Sequence, residues 1–468
     1  MSQSFAPREP MSVIDAAWLR MDRPTNLMMI CGMMLFERRL DLRALREVIA
    51  ARMLCFHRFR QRVAGPAEAP YWENDPQFDL EWHVRRVALP AGRGALEELA
   101  GDLASTALDP RKPMWQFHLA QGARASALIL RIHHCYGDGF ALLHVVDAIT
   151  DLDPAHPRAP LADLAPAPPR SAWERIFGVV TETAGDALRT TLGAAGTGAA
   201  LLSSPRSALA AAAGAADLLH QAGVIANMTP DSATSLKGEL GVTKRVAWAE
   251  PLALDDVKAV CGVLGCSVND LLVACIAGAL RSWMQDRGEP VDGVELRALV
   301  PVNLRPPGPV TELGNHFGMV FLALPVGIAD PLERVAEVRR RMAELKHSQQ
   351  PLVALGILAG MGVAPEFLKE RVLETLAANA SVIVTNVRGA EQPRYLAGQR
   401  IARQMFWVPQ SGGIGLGVSI LSYDGQVSFG VIADARRIAD PADLPPRYAA
   451  EFEALLLHAL MLPWPVST

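Results

Sequence analysis

The sequence predicts an α/β protein of two alternating halves joined by a long crossover. Three observations carry this. Apolar stretches of strand character alternate with helix-period stretches over residues 1–152 and again over 244–468. Residues 153–243 break the alternation, first with a Pro-rich linker and then with an Ala/Gly-rich stretch. The chain is 468 residues long, about three times an average domain of roughly 150, which leaves room for both halves and a connector.

In the first half, DLRALREVIAARMLCF places Leu42, Leu45, Val48, Ile49, Met53 and Phe56 on one helical face. Residues 94–107 repeat that period. ALILRIHH (Ala127 to His134) reads as a strand, and FALLHVVDAITDL (Phe140 to Leu152) as the helix behind it. After the linker, Ser171 to Met228 is expected to be helical and without catalytic residues. In the second half KRVAWAEPL, ELRALVPVNLR, HFGMVFLALPV and SVIVTNV read as strands. SVNDLLVACIAGALRSWM reads as a helix opening on a polar cap. PLERVAEVRRRMAELK reads as another, with Asp330 as its N-cap and Pro331 in its first turn. GIGLGVSILSYDGQVSFGVIAD contains a hairpin turn at Tyr423 to Gly425, and a last helix spans about Pro446 to Leu460.

Charge and composition exclude several classes. Hydrophobic residues make up 50% and charged residues 20%, and mean hydropathy is +0.17, which rules out a disordered or fibrous chain. A net charge of −4 disfavours nucleic-acid binding, which needs a basic excess. The cysteines (Cys31, Cys55, Cys135, Cys261, Cys266, Cys275) show no C-x-x-C pair and read as reduced, buried thiols of a cytoplasmic protein. Met1 to Pro10 has no apolar run, so no secretory leader is expected. The uncharged, greasy Leu352 to Ala364 would cover only about 20 Å as a helix, against about 30 Å of hydrocarbon. It reads as a buried or interfacial helix rather than a span.

HHCYGDG, His133 to Gly139, is the strongest local signal, sitting where a strand ends and a helix begins. Neighbouring strand side chains point to opposite faces, so one histidine is expected to be a reactive base and the other a packing or hydrogen-bonding residue. Gly137 and Gly139 allow a tight turn with close backbone approach. Asp138 either caps the following helix or forms an ion pair that holds the loop. A zinc site, a Cys135–His nucleophilic pair and two merely structural histidines are the competing readings. General-base catalysis by one histidine is the leading one.

HHxxxDG resembles the signature of the chloramphenicol acetyltransferase-like superfamily. MSVIDAAWLRMDRPTNLMMICGMMLFE, KPMW, VNDLLVACIAGALR, PVNLR, LGNHFG, TNVRGAEQPRYLAGQRI and YDGQVSFGVIAD follow in the order of one branch. That branch is the bacterial wax ester synthase/diacylglycerol acyltransferase family. The resemblance covers nearly the whole chain apart from the Ala/Gly crossover. It implies two chloramphenicol acetyltransferase-like subdomains with the HHxxxDG loop at their interface. It also implies transfer of a fatty acyl group from acyl-CoA to the hydroxyl of a diacylglycerol or a long-chain alcohol. Carried across, His134 is the general base and no acyl-enzyme forms. Asn269 and Asp270 match the family's Asn-Asp pair, Asn269 as an oxyanion donor or a helix-cap residue. His133, Asp138, Gly139, Asp270 and Arg305 are structural at the site, with Asp138 paired to Arg305 and Arg131 the competing partner.

Trp115 of KPMW is expected at the substrate. Tyr136 stands where the family has small or aliphatic residues and is expected to narrow the acceptor entrance. Met33 and Met34, in a Met-rich segment, are candidates to line an acyl tunnel, with ordinary core packing as the alternative. TNVRG has Arg388 where the family usually has proline. No metal or cofactor is implied, acyl-CoA being a co-substrate. The expected partners are acyl-CoA and a lipophilic alcohol or diacylglycerol, met at a membrane or lipid-inclusion surface by a monomer or homodimer. A condensation-type enzyme using a carrier-protein thioester and a catalytically silent lipid-inclusion coat protein are the alternatives.

Overall fold

Two β-sheets, one seeded in each half, organise the chain in a computed structural model. It describes residues 8–89, 92, 94–122, 124–159, 228–305, 313–346, 350–363, 375, 378–410 and 413–462. The expected Ala/Gly-rich helical stretch lies outside the described residues, Met228 excepted.

The first half opens with α1 (Val13–Met21), capped by Ser12, whose Oγ accepts from the Asp15 N–H at 3.1 Å. Strand β1 (Met29–Phe36) follows, then α2 (Leu42–Val48), which widens into a π-turn at Ile49–Met53. The helix expected over 41–56 thus changes pitch, while Leu45, Ile49 and Met53 all remain buried on one side. After a small three-stranded sheet of Glu9–Pro10, Tyr71–Asn74 and Gln61–Ala64 come β2 (Val84–Ala88), α3 (Ala95–Ala104), β3 (Trp115–Gln121), β4 (Ser126–His133) and α4 (Gly139–Ile149).

The second half contains β5 (Lys244–Trp248), α5 (Leu254–Leu264) and α6 (Val268–Asp286). Helix α6 is buried along most of its length, as an apolar helix without a polar face must be. After it come β6 (Leu296–Asn303), β7 (Phe317–Leu324), α7 (Pro331–Lys346), α8 (Gln350–Val363) and β8 (Val382–Arg388). The chain closes with β9 (Arg403–Trp407), β10 (Leu416–Tyr423), β11 (Gln426–Asp434) and α9 (Leu444–Met461). The β10–β11 hairpin turns at Asp424 (φ 47°) and Gly425 (φ 70°). Two successive positive φ values match the twist of a two-residue hairpin loop, and Asp-Gly tolerates them.

The second half's sheet runs β7-β6-β8-β10-β11-β5, with parallel pairing at β6–β8 and β8–β10. The first half's sheet runs β9-β1-β4-β3-β2. Its outermost strand therefore comes from the second half: Arg403 to Trp407 pair antiparallel with Leu35 to Cys31. A boundary drawn along the sequence at residue 244 does not separate the two bodies in space.

The greasy segment after residue 350 is α8, whose first turns pack on β7 and α1. Val353 and Leu355 are buried, Val353 in a small core with Leu299, Phe321 and Ile383. A Cβ at Gly318 would collide with the Pro351 carbonyl oxygen, so glycine permits this approach. Among the described residues no single helix is both long and apolar enough to cross a membrane.

Candidate active site

The HHCYGDG loop is fixed from both sides by backbone bonds. The His133 N–H donates to the Met114 carbonyl at 3.0 Å and the His134 N–H to the Met28 carbonyl at 2.8 Å. KPMW and the start of β1 thus hold the end of β4 in place. The strand ends at His133 and a single 3-10 turn, His134–Tyr136, follows. Gly137 then lies backbone to backbone against Gly314 from the other half, and the Asp138 N–H donates to the Gly314 carbonyl at 3.2 Å. A Cβ on Gly137 would meet Ala141 Cβ at 3.0 Å and Gly314 N at 3.4 Å. Close approach, rather than a left-handed φ, explains this glycine.

Asp138 secures the seam. Its carboxylate accepts from the Ala141 N–H, capping α4 at 3.0 Å, and from the His316 N–H at 2.8 Å. Arg305 Nη1 donates to Asp138 Oδ1 at 2.6 Å, and Arg305 Nη2 donates to the Gly314 carbonyl at 2.8 Å. Cap and ion pair, posed as alternatives for Asp138, are both present. Arg131, the rival partner, is buried instead among Gln116, His118 and the Thr106 carbonyl.

The two histidines have different surroundings. His133 Nδ1 accepts from the Cys135 N–H at 3.2 Å, so its proton sits on Nε2, 3.9 Å from Asp22 and beyond hydrogen-bond reach. Burial, with a contribution from His134, pushes its pKa down to about 3. His134 lies under Trp18, ring centroids 4.0 Å apart and planes inclined by 10°. Its Nδ1 is 2.8 Å from Asn315 Oδ1. Asn315 Nδ2 in turn donates to Asp15 Oδ1 and to the His134 carbonyl, each at 2.8 Å. Burial pushes the His134 pKa down to about 4, against upward pulls from Asp138, from a bond to its own backbone and from Asn315. The ring is therefore neutral near pH 7, as a general base must be before it acts.

Asp15, Trp18 and Asn315 were given no role from the sequence. One signal was available: an acid and a tryptophan spaced i, i+3 share a helix face, and Met21, three residues after Trp18, is buried too.

Beside the loop, an apolar cavity of about 90 Å³ lies under α4. Gly139, Ile132 and Leu142 come from the loop and its flanking elements, Met33 and Met34 from β1, and Val387 from the second half. Met33 and Met34 both border that cavity. Trp115 and Tyr136 do not. Trp115 is buried, its indole N–H donates to the Phe59 carbonyl at 2.9 Å, and it stacks on His83. The Tyr136 hydroxyl donates to the Gln61 carbonyl at 2.7 Å and accepts from the Met114 N–H at 3.0 Å. Neither borders that cavity; both rings are buried and brace the loop from behind. A bulkier residue is accommodated at position 136 because its one polar atom finds two backbone partners.

Asn269 and Asp270 open α6. Asp270 closes a capping box with Ser267, the two bonds measuring 2.9 and 3.1 Å. Asn269 Oδ1 accepts from Asn386 Nδ2 of β8 at 3.0 Å, so its side chain bonds across the second half rather than to the histidine loop. Arg388 forms an exposed ion pair with Glu391. Burial pushes the Cys135 thiol well up, leaving it a poor nucleophile. Among the described residues no three His, Cys, Asp or Glu side chains converge as metal ligands would.

Residues 11–272 match the wax ester synthase/diacylglycerol acyltransferase catalytic domain, and residues 313–456 match that family's C-terminal domain. The chain belongs to the wax ester synthase/diacylglycerol acyltransferase family. It is 29% identical over 416 residues to the probable diacylglycerol O-acyltransferase of Mycobacterium tuberculosis H37Rv, covering 86% of each chain. Its fold is similar to that of the wax ester synthase/diacylglycerol acyltransferase from Marinobacter aquaeolei VT8. That match has a TM-score of 0.68 and 22% identity, over 96% of this chain and 99% of that one. The starter condensation domain of rhizomide synthetase, solved with C8-CoA, aligns with a TM-score of 0.56 at 13% identity. The alignment covers 97% of this chain and 95% of that domain. The two-subdomain expectation for the fold holds, and condensation domains share it.

Proposed function

We propose that this wax ester synthase/diacylglycerol acyltransferase family member transfers a long-chain fatty acyl group from acyl-CoA to the hydroxyl of a diacylglycerol or long-chain alcohol. The observation that carries the reading is His134, neutral and anchored through Nδ1 at the seam between the halves, beside an apolar cavity. His134 Nε2 takes the acceptor's hydroxyl proton as the oxygen attacks the thioester carbonyl. The tetrahedral adduct collapses, the C–S bond breaks, and the imidazolium returns the proton to the departing CoA thiolate. Ester and CoA are the only products, and no acyl-enzyme or cofactor enters the balance. A positioned base contributes about 10²–10⁴-fold, so alignment of the two substrates supplies much of the remainder. The same proposal gives Asn269 the role of oxyanion donor through its Nδ2, its Oδ1 being bonded to Asn386, a role worth about 10²–10³ in rate.

The cavity supports a hydrocarbon substrate. Its lining side chains are apolar apart from Gln404, and walls that adapt suit acyl chains of different length. Met33, Met34 and Met405 line it, and methionine is the side chain best able to yield. Contact with a membrane or lipid-inclusion surface on the cytoplasmic side belongs to the same proposal, supported by the exposed Leu457, Leu460 and Met461 of α9.

The test is CoA-thiol release from palmitoyl-CoA against a panel of diacylglycerol, long-chain alcohols and short alcohols. Release with the lipid acceptors, abolished in a folded His134→Ala protein, is the expected result. Near-normal turnover by that variant would remove the general base, and release only with a carrier-bound thioester would favour the condensation-type alternative.

A further inference from the structure

The bonds around Asn315 determine which nitrogen of His134 is basic. The His134 backbone carbonyl can only accept a hydrogen bond, and Asn315 Nδ2 lies 2.8 Å from it. The amide of Asn315 is therefore oriented with its NH₂ toward that carbonyl and toward Asp15 Oδ1. Both amide protons are then used, and Oδ1 faces the imidazole at 2.8 Å from Nδ1. An amide oxygen can only accept, so Nδ1 must carry the ring proton and Nε2 must carry the lone pair. Trp18 covers one face of the ring, and the Nδ1 bond prevents it from flipping.

We infer that Asn315 and Asp15 are positioning residues that hold His134 in the Nδ1–H tautomer with Nε2 directed to the acceptor hydroxyl. The inference rests on His134 being the base of the reaction proposed above, but the tautomer is a property of the protein alone. Asn315 orients the ring as the third member of a Cys-His-Asn or Ser-His-Asp set orients its histidine. Asp15 acts one residue further out. It holds the Asn315 amide and places a carboxylate behind it, where polarisation along the bonded chain favours the imidazolium that forms during transfer. The three residues come from α1, the histidine loop and the strand entering β7, so the arrangement exists only when both halves are closed on each other.

The decisive measurement is a ¹⁵N–¹H correlation spectrum of the ring nitrogens in uniformly ¹⁵N-labelled full-length protein near neutral pH, with His134 assigned by its absence in His134→Ala. A protonated Nδ1 and an unprotonated Nε2 are expected without substrate. A protonated Nε2 in the wild type overturns the inference, whatever the enzyme acylates. In Asn315→Ala the Nδ1–H pattern is expected to give way to a tautomer mixture, with kcat for CoA release down about 10²–10⁴-fold and KM within about twofold. Unchanged nitrogens and kcat in that variant would equally overturn it. Asp15→Asn is near-isosteric and keeps an acceptor for Asn315. It should keep the tautomer and lose about tenfold in kcat, whereas Asp15→Ala should lose more. If Asn315→Ala does not fold, the wild-type spectrum still decides.

Discussion

The two halves contribute differently to one site. The first carries His134, the proposed base, and most of the cavity beside it; the second supplies much of what holds them. Arg305, Gly314, Asn315 and His316 all come from one stretch of the second half, and each bonds to the histidine loop or to its immediate support. The proposed base on one body is therefore held by a clamp on the other.

That contrast can be broken most severely at the Asp138–Arg305 pair, whose side chains are 4% and 10% exposed. Removing one member of a buried pair leaves the other charge uncompensated and costs about 3–5 kcal/mol. Arg305→Ala is expected to lower Tm in thermal denaturation and CoA release together. Lost activity at unchanged Tm would show that the pair serves chemistry rather than the seam.

Acid should weaken the first half in particular. Burial pushes His83, His118, His133 and His134 down to about 4, 4, 3 and 4, from an unfolded value near 6.5. Between these values the unfolded chain binds protons that the folded one does not. Stability therefore rises with pH across that window and is lost as pH falls from about 6.5 toward 4. Denaturant midpoints measured across that window should fall with pH; a flat series would contradict the burial. For the same reason kcat/KM should hold its neutral-pH value down to about pH 5, because His134 stays unprotonated until nearer 4.

The smallest expected effect sharpens the cavity's role. Val146 lines it from α4, and Val146→Phe is expected to move the acyl-CoA preference to shorter chains with little change in Tm. An unaltered chain-length profile would place the acyl chain elsewhere.

Much of the fold was legible because it rests on local rules. The period of Leu45, Ile49 and Met53, the Asp-Gly hairpin, Pro331 in a first turn and the apolar run of β4 each announce themselves within a few residues. The histidine loop was legible for the same reason. What escaped was long-range. Nothing near Arg403 signals that this strand joins a sheet begun at Met29. Nothing near Asn315 signals that its amide faces His134, 181 positions earlier in the chain. Tyr136 misled because its ring was placed by adjacency to His134, whereas the 3-10 turn sends it to a backbone pocket formed by Gln61 and Met114.

The strand exchange at β9 also bears on how the chain matures as it is synthesised. Until residues 403–407 have emerged, the outer edge of Met29–Phe36 has no β-partner from the second half. An open edge carrying Met29, Ile30, Met33, Met34 and Leu35 invites pairing with another chain. A chain stopped before that point would therefore carry His134 while the sheet of its first half is still unsealed. The seal on the first half's sheet is thus carried by about the last seventh of the chain.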